Sequence, residues 1–152
     1  MKKLLLPLFL LIFITSFSWE VIEQVNEFRE KTGSTILKQN SKNNKGIFII
    51  TKDPEIKYTI SLATGDYIVG KGPLNNSNVK FKLDNNEIIE LKGAVISGKM
   101  ILFFDEKPKI PELIEKMKNS NNIKVVAENS NGSNSFAEYD INGLKEMLQQ
   151  IK

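Results

Sequence analysis

Apolar positions along this chain fall into short runs separated by asparagine-rich breaks, a spacing that predicts a mainly β fold. Gly46 to Thr51 is continuously apolar and β-branched, as a buried strand would be. From Ile56 to Leu62 the pattern alternates and places Ile56, Tyr58, Ile60 and Leu62 on one face. Val79 to Leu83 also alternates, then meets Asp84-Asn85-Asn86, which reads as a hairpin turn into a partner strand at 87–94. Lys99 to Phe104 predicts another buried strand, and 123–128 and 135–139 complete the set. The breaks at 39–44, 75–78, 84–86, 119–122 and 129–134 read as turns or loops. Asparagine tolerates left-handed backbone angles and hydrogen-bonds its own backbone, so such clusters interrupt regular structure.

Two segments switch to the helical period. Ile110, Leu113, Ile114 and Met117 form one stripe, with Pro111 at a natural first-turn position. Ile141, Leu144, Leu148 and Ile151 form a second, which Asp140 or Asn142 can cap. Each stripe needs a surface to cover, most simply the open face or end of a sheet. Residues 19–26 fit either period, and we read them as a first strand. The expectation is a mainly β (α+β) fold: an antiparallel β-sandwich or curved sheet with two short amphipathic helices, about 110–118 and 141–151.

The first eighteen residues follow a different rule. Lys2 and Lys3 precede an apolar run from Leu4 to Ile14, interrupted only by Pro7. Ser16 and Ser18 then occupy the −3 and −1 positions of a small-x-small cleavage site. This is the three-part pattern of a secretory signal peptide cut before Trp19. The run falls short of the roughly 20 apolar residues that cross a bilayer. The expectation is therefore a leader at 1–18 and one β-rich domain at 19–152, periplasmic or secreted, with no membrane span once the leader is gone.

Removing the leader changes the charge. The full chain has 21 basic and 18 acidic residues, and two of the lysines lie in the leader, so the remainder stands at 19 against 18. A nearly neutral domain lacks the field of a nucleic-acid binder. The chain has no cysteine, so it must be stable without a disulfide.

The order of the late elements carries a resemblance. Met100-Ile101-Leu102-Phe103-Phe104-Asp105 leads to Glu112-Leu113-Ile114-Glu115-Lys116-Met117. The strand Ile123-Lys124-Val125-Val126 follows, then Phe136-x-x-Tyr139-Asp140-Ile141-x-Gly143-Leu144 opens a final helix. This resembles small exported β-sandwich proteins of the VasI type, associated with type VI secretion, and the wider set that includes invasion-associated locus B proteins. Trp19-Glu20-Val21 is similar to the opening of that group's mature domain. The resemblance covers residues 99–148, and the cysteines common in the group are missing. It implies a fold and an envelope location, with no catalytic residues to carry over.

Composition restricts the chemistry further. Without histidine there is no histidine general base and no Ser-His-Asp triad. Without cysteine there is no thiol nucleophile, and carboxylates alone suit zinc or copper poorly. No cofactor or metal is expected. Gly65-Asp66-Tyr67-Ile68-Val69-Gly70-Lys71-Gly72 lacks the ending and the following helix of a phosphate loop, and Pro73 makes it a turn. Asp66, Asp84, Asp105, Glu106 and Asp140 lie at element ends, where Asp84 reads as a turn residue and Asp140 as a cap. Asp105-Glu106 lacks calcium-loop spacing. Trp19, Tyr58, Tyr67 and Tyr139 could stack a sugar or a partner, although burial is the default for such rings. Three residues remain as candidate ligand contacts: Asp66, Tyr67 and Asp105. The leading expectation is a non-catalytic binding or accessory module of a secretion or surface system, contacting an envelope protein. The alternatives are a sandwich that binds a surface glycan or other small ligand, and a hydrolase built on carboxylates alone.

Overall fold

The computed structural model describes residues 19–55, 57–84, 87–103 and 109–151. Nine strands form one antiparallel sheet: β1 (Glu20–Val25), β2 (Lys31–Asn40), β3 (Gly46–Asp53), β4 (Lys57–Thr64), β5 (Asn76–Leu83), β6 (Ile88–Ile96), β7 (Met100–Leu102), β8 (Asn122–Glu128) and β9 (Asn134–Asp140). Their spatial order is β1-β2-β3-β4-β7-β6-β5-β8-β9. Helix α1 (Lys109–Met117) precedes β8, and α2 (Leu144–Gln150) follows β9. Of the two architectures expected, this is the curved sheet.

The curvature is visible in the core. Phe48 of β3 and Tyr139 of β9 stand six places apart in the strand order, yet their rings meet edge to face at 5.5 Å. Phe48 also touches Trp19 at 6.4 Å and Phe81 at 6.2 Å, and Phe81 touches Phe103 at 5.7 Å. Aromatic pairs at such separations and angles contribute beyond their buried area. The sheet curls until its concave face encloses its own core, and the helices plug what remains. The stripes Ile110, Leu113, Ile114, Met117 and Ile141, Leu144, Leu148, Ile151 are all buried, as their period demands. Lys52 Nζ donates to Ile151 O at 2.7 Å and ties the end of α2 to β3.

Close approach requires glycine at Gly46. A Cβ there would lie 2.7 Å from Tyr139 Oη and 2.9 Å from Ala63 O. The β2–β3 turn completes this seam: Lys42 N donates to Glu138 O at 2.7 Å, and Asn43 Nδ2 to Phe136 O at 3.3 Å.

Several expectations shift at their edges. The strand expected at 19–26 forms over Glu20–Val25; Trp19, just before it, is buried, while Val21 and Val25 are exposed. Strand β2 was not foreseen at all, and Gln39-Asn40, read as loop, is its end. Asn76-Ser77-Asn78 likewise belongs to β5, because Ser77 Oγ donates to Glu128 O at 2.7 Å and Asn78 Nδ2 reaches the Glu128 carboxylate. Tertiary pairing overrides the local turn preference there. Gly143, rather than Asp140 or Asn142, is the N-cap of α2, and Asp140 Oδ1 instead accepts the Asn142 N–H at 3.0 Å. Ile56, Asn85, Asn86, Phe104 and the whole predicted leader lie outside the described residues.

Candidate functional site

The loop between β4 and β5 carries Asp66 and Tyr67, and it is held from three directions. Ile68 is 1 % exposed and anchors the loop in the core. On one side Ile68 N donates to Gly98 O at 2.8 Å in the β6–β7 turn. On the other, Asn129 of the β8–β9 loop donates Nδ2 to Tyr67 O at 3.0 Å and accepts the Val69 N–H on Oδ1 at 3.1 Å. Ser130 N adds a bond to Val69 O at 2.8 Å. Asp66 Oδ2 accepts from the buried Ser135 hydroxyl at 3.2 Å, and Thr64 Oγ1 donates to Asp66 O at 2.9 Å.

This scaffold turns Tyr67 outward, with 63 % of its surface exposed. Its ring lies over Gly98, whose φ of +68° and lack of a side chain both suit the contact. Any Cβ at that position would run into the ring. Val69, Leu74, Ile96 and Met100 are among the exposed apolar side chains on the segments that build this end of the sheet. An exposed ring on a fixed backbone loses little further freedom on binding.

The other aromatic candidates do not join it. Trp19 and Tyr139 are core residues, and Tyr58 is half-buried against the core. Burial pushes the Tyr139 hydroxyl pKa upward, out of any acid–base role near neutrality. Asp105 and Glu106 lie outside the described residues; of the three candidates, Asp66 and Tyr67 are placed, adjacent in the β4–β5 loop.

The candidate carboxylates among the described residues are engaged structurally. Asp84 accepts from the backbone N–H groups of Asn121 and Asn122 and pins the turn between α1 and β8. The Asn121 bond, above all, lowers its pKa. Asp84 shares a shallow depression with Glu138, Lys82 and Lys124. Glu138 pairs with Lys42 at 3.2 Å. A carboxylate held below its usual range is a poor general acid, which needs a raised pKa. Glu128 is lowered by its bond from Lys80 Nζ at 3.1 Å. Among the described residues no three acidic side chains cluster as a metal site. No helix among them is long and apolar enough to cross a membrane.

One concavity was missed at the sequence level because it needs β2. A cleft of about 530 Å³ opens between Val21, Glu23, Ser34 and Thr35 of the β1–β2 ribbon and Met147, Gln150 and Ile151 at the end of α2. Its rim carries the Glu23–Lys31 pair at 2.6 Å. The chain matches no protein-family model, no curated protein and no solved structure.

Proposed function

We propose that this protein is a non-catalytic binding or accessory module that works outside the cytoplasm, in the periplasm or beyond, and offers the Tyr67 end of its sheet to a protein partner. The observation that carries the reading is Tyr67 itself: a large ring, mostly exposed, on a loop fixed by Ile68, Asn129 and the Gly98 turn. Exposed aromatic anchors on rigid supports are typical of interface hot spots. The three-part leader pattern supports export. The resemblance of residues 99–148 to VasI-type proteins supports an accessory role in a secretion or surface apparatus.

A protein surface suits this end better than a glycan. Sugar recognition joins a ring to free polar groups, whereas both ends of the Asn129 carboxamide are taken up by backbone. The test is site-specific photo-crosslinking in cells that express the full chain, with the probe at Tyr67 or at the exposed Lys145. The reading expects one partner adduct from position 67 and none from 145, on a protein whose N-terminus begins at Trp19. Identical adducts at both positions, or none, would refute the partner surface. An intact Met1 on the cellular protein would refute the export reading.

A further inference from the structure

The two edges of the sheet differ. The β9 edge is engaged by the chain's own β2–β3 turn, through the bonds to Glu138 O and Phe136 O. The β1 edge has no neighbouring strand among the described residues, and all six of its residues are exposed. Such an edge is a template for another strand. Its polar groups can be assigned. Ser41 N donates to Gly46 O at 2.9 Å, which marks Ser41 and Gly46 as a hydrogen-bonded pair of β2 and β3. Bonded and non-bonded pairs alternate along an antiparallel ladder. Thr35, Leu37 and Gln39 therefore bond to β3, and Ile36 and Lys38 turn to β1. Their partners there are Ile22 and Glu20. Val21 and Glu23 are left with their N–H and C=O groups pointing away from the sheet.

We propose that β1 pairs with β1 of a second copy of this chain, antiparallel about a two-fold axis through Ile22. Two-fold pairing of an edge can only bring together residues of the same outward set, which limits the registers to three. Centring on Val21 overlaps only Glu20 to Ile22. Centring on Glu23 sets Glu23 against Glu23 of the other copy, an unfavourable like-charge pair. Centring on Ile22 overlaps Glu20 to Gln24, opposes Val21 to Glu23 twice, and places the two Ile22 side chains in the close non-hydrogen-bonded position. In this register no acid faces an acid, and each acid of the strand keeps its lysine within the hairpin, Glu20 with Lys38 at 3.1 Å and Glu23 with Lys31. The irregularity in register lies after Glu23, so both outward residues precede it. A junction this short buries less than a permanent dimer needs, so the association is weak and reversible.

The protein purified from cells expressing the full chain tests this by sedimentation across a concentration series. A monomer–dimer equilibrium is expected. Val21→Pro removes an outward N–H that the chain's own ladder does not use, and should weaken dimerisation on the order of tenfold or more while leaving thermal stability unchanged. The natural chain has no cysteine, so a single Ile22→Cys variant gives a clean register test. Paired Cα atoms about 4.5 Å apart fall within disulfide range, so oxidation should yield a covalent dimer, and Val21→Cys should not. A protein that stays monomeric at every concentration, or an Ile22→Cys variant that does not crosslink, overturns the proposal. Either result would be expected if another segment of the chain, or a different protein, occupies the edge.

Discussion

Replacing Gly46 by alanine tests the feature on which the whole architecture turns, the meeting of β3 and β9. The backbone at Gly46 is not in the left-handed region, so alanine meets no conformational penalty there. In a free strand the change would stabilise by about 0.4–1 kcal/mol through the unfolded chain. In this sheet the new methyl lands 2.7 Å from Tyr139 Oη and 2.9 Å from Ala63 O, with Ala137 Cβ at 3.6 Å. Ordinary carbon–oxygen contacts lie at about 3.3 Å or more, so two neighbours must each give about half an ångström. One is a buried ring and the other is main chain, and neither moves freely. Overpacking of this kind costs roughly 1–3 kcal/mol, which leaves a net loss of about 1–2 kcal/mol. Urea unfolding of Gly46→Ala, Tyr139→Phe and the double variant measures it. Removing the hydroxyl relieves the shorter contact and leaves that to Ala63 O. The double variant should therefore recover part of the loss, with a coupling of about 1 kcal/mol. A Gly46→Ala protein as stable as the parent, or two strictly additive changes, would show that β3 and β9 do not meet and that the sheet is flatter than described.

The remaining predictions concern polar groups and the loop. Gln39 is buried with its Oε1 unpartnered, so Gln39→Leu should raise stability by about 1–2 kcal/mol, read from the urea midpoint. Asn129→Ala removes both side-chain bonds to the Tyr67 loop; amide exchange at Tyr67 to Gly70 should quicken about tenfold or more, while the core strands keep their protection. Asp84 has a lowered pKa in the folded protein, so its contribution is fully present above its unfolded value near 3.8 and fades as pH falls through the lower folded value. The group is exposed and screened, so Asp84→Ala should flatten the acid limb of a stability–pH curve by only about 0.5 kcal/mol, measurable by thermal melts at stepped pH.

Much of this fold could be read from periodicity, and the exceptions share a cause. The stripes of α1 and α2 and the alternation at Val79, Phe81 and Leu83 mark burial because apolar side chains recur at the period of their element. Strand β2 escaped because its buried positions are Ser34, Thr35, Leu37 and Gln39, a mostly polar set that only neighbouring elements make buried. Asn76 and Asn134 lie inside strands for the same reason: the pairing partner decides, not the residue's own turn preference. At the candidate site, Tyr67 stood out in the sequence through its place beside Asp66 and Gly65 in a predicted loop, and its exposure came only with the structure. The clamp by Asn129, sixty-two positions away, had no local signal. The cleft beneath β1 was hidden because both of its walls depend on β2 and on how α2 docks.

The turn that shields the last strand has a bearing on how the molecule is made. Lys42 and Glu138 are ninety-six positions apart, so the shield is synthesised long before the strand that it covers. Until the C-terminal third arrives and docks, β8 and β9 partners are lacking and open backbone is available to other chains. Folds dominated by such distant pairings form slowly and aggregate in transit. Chains truncated before β9, or delayed in release, are therefore the ones that should depend most heavily on chaperones.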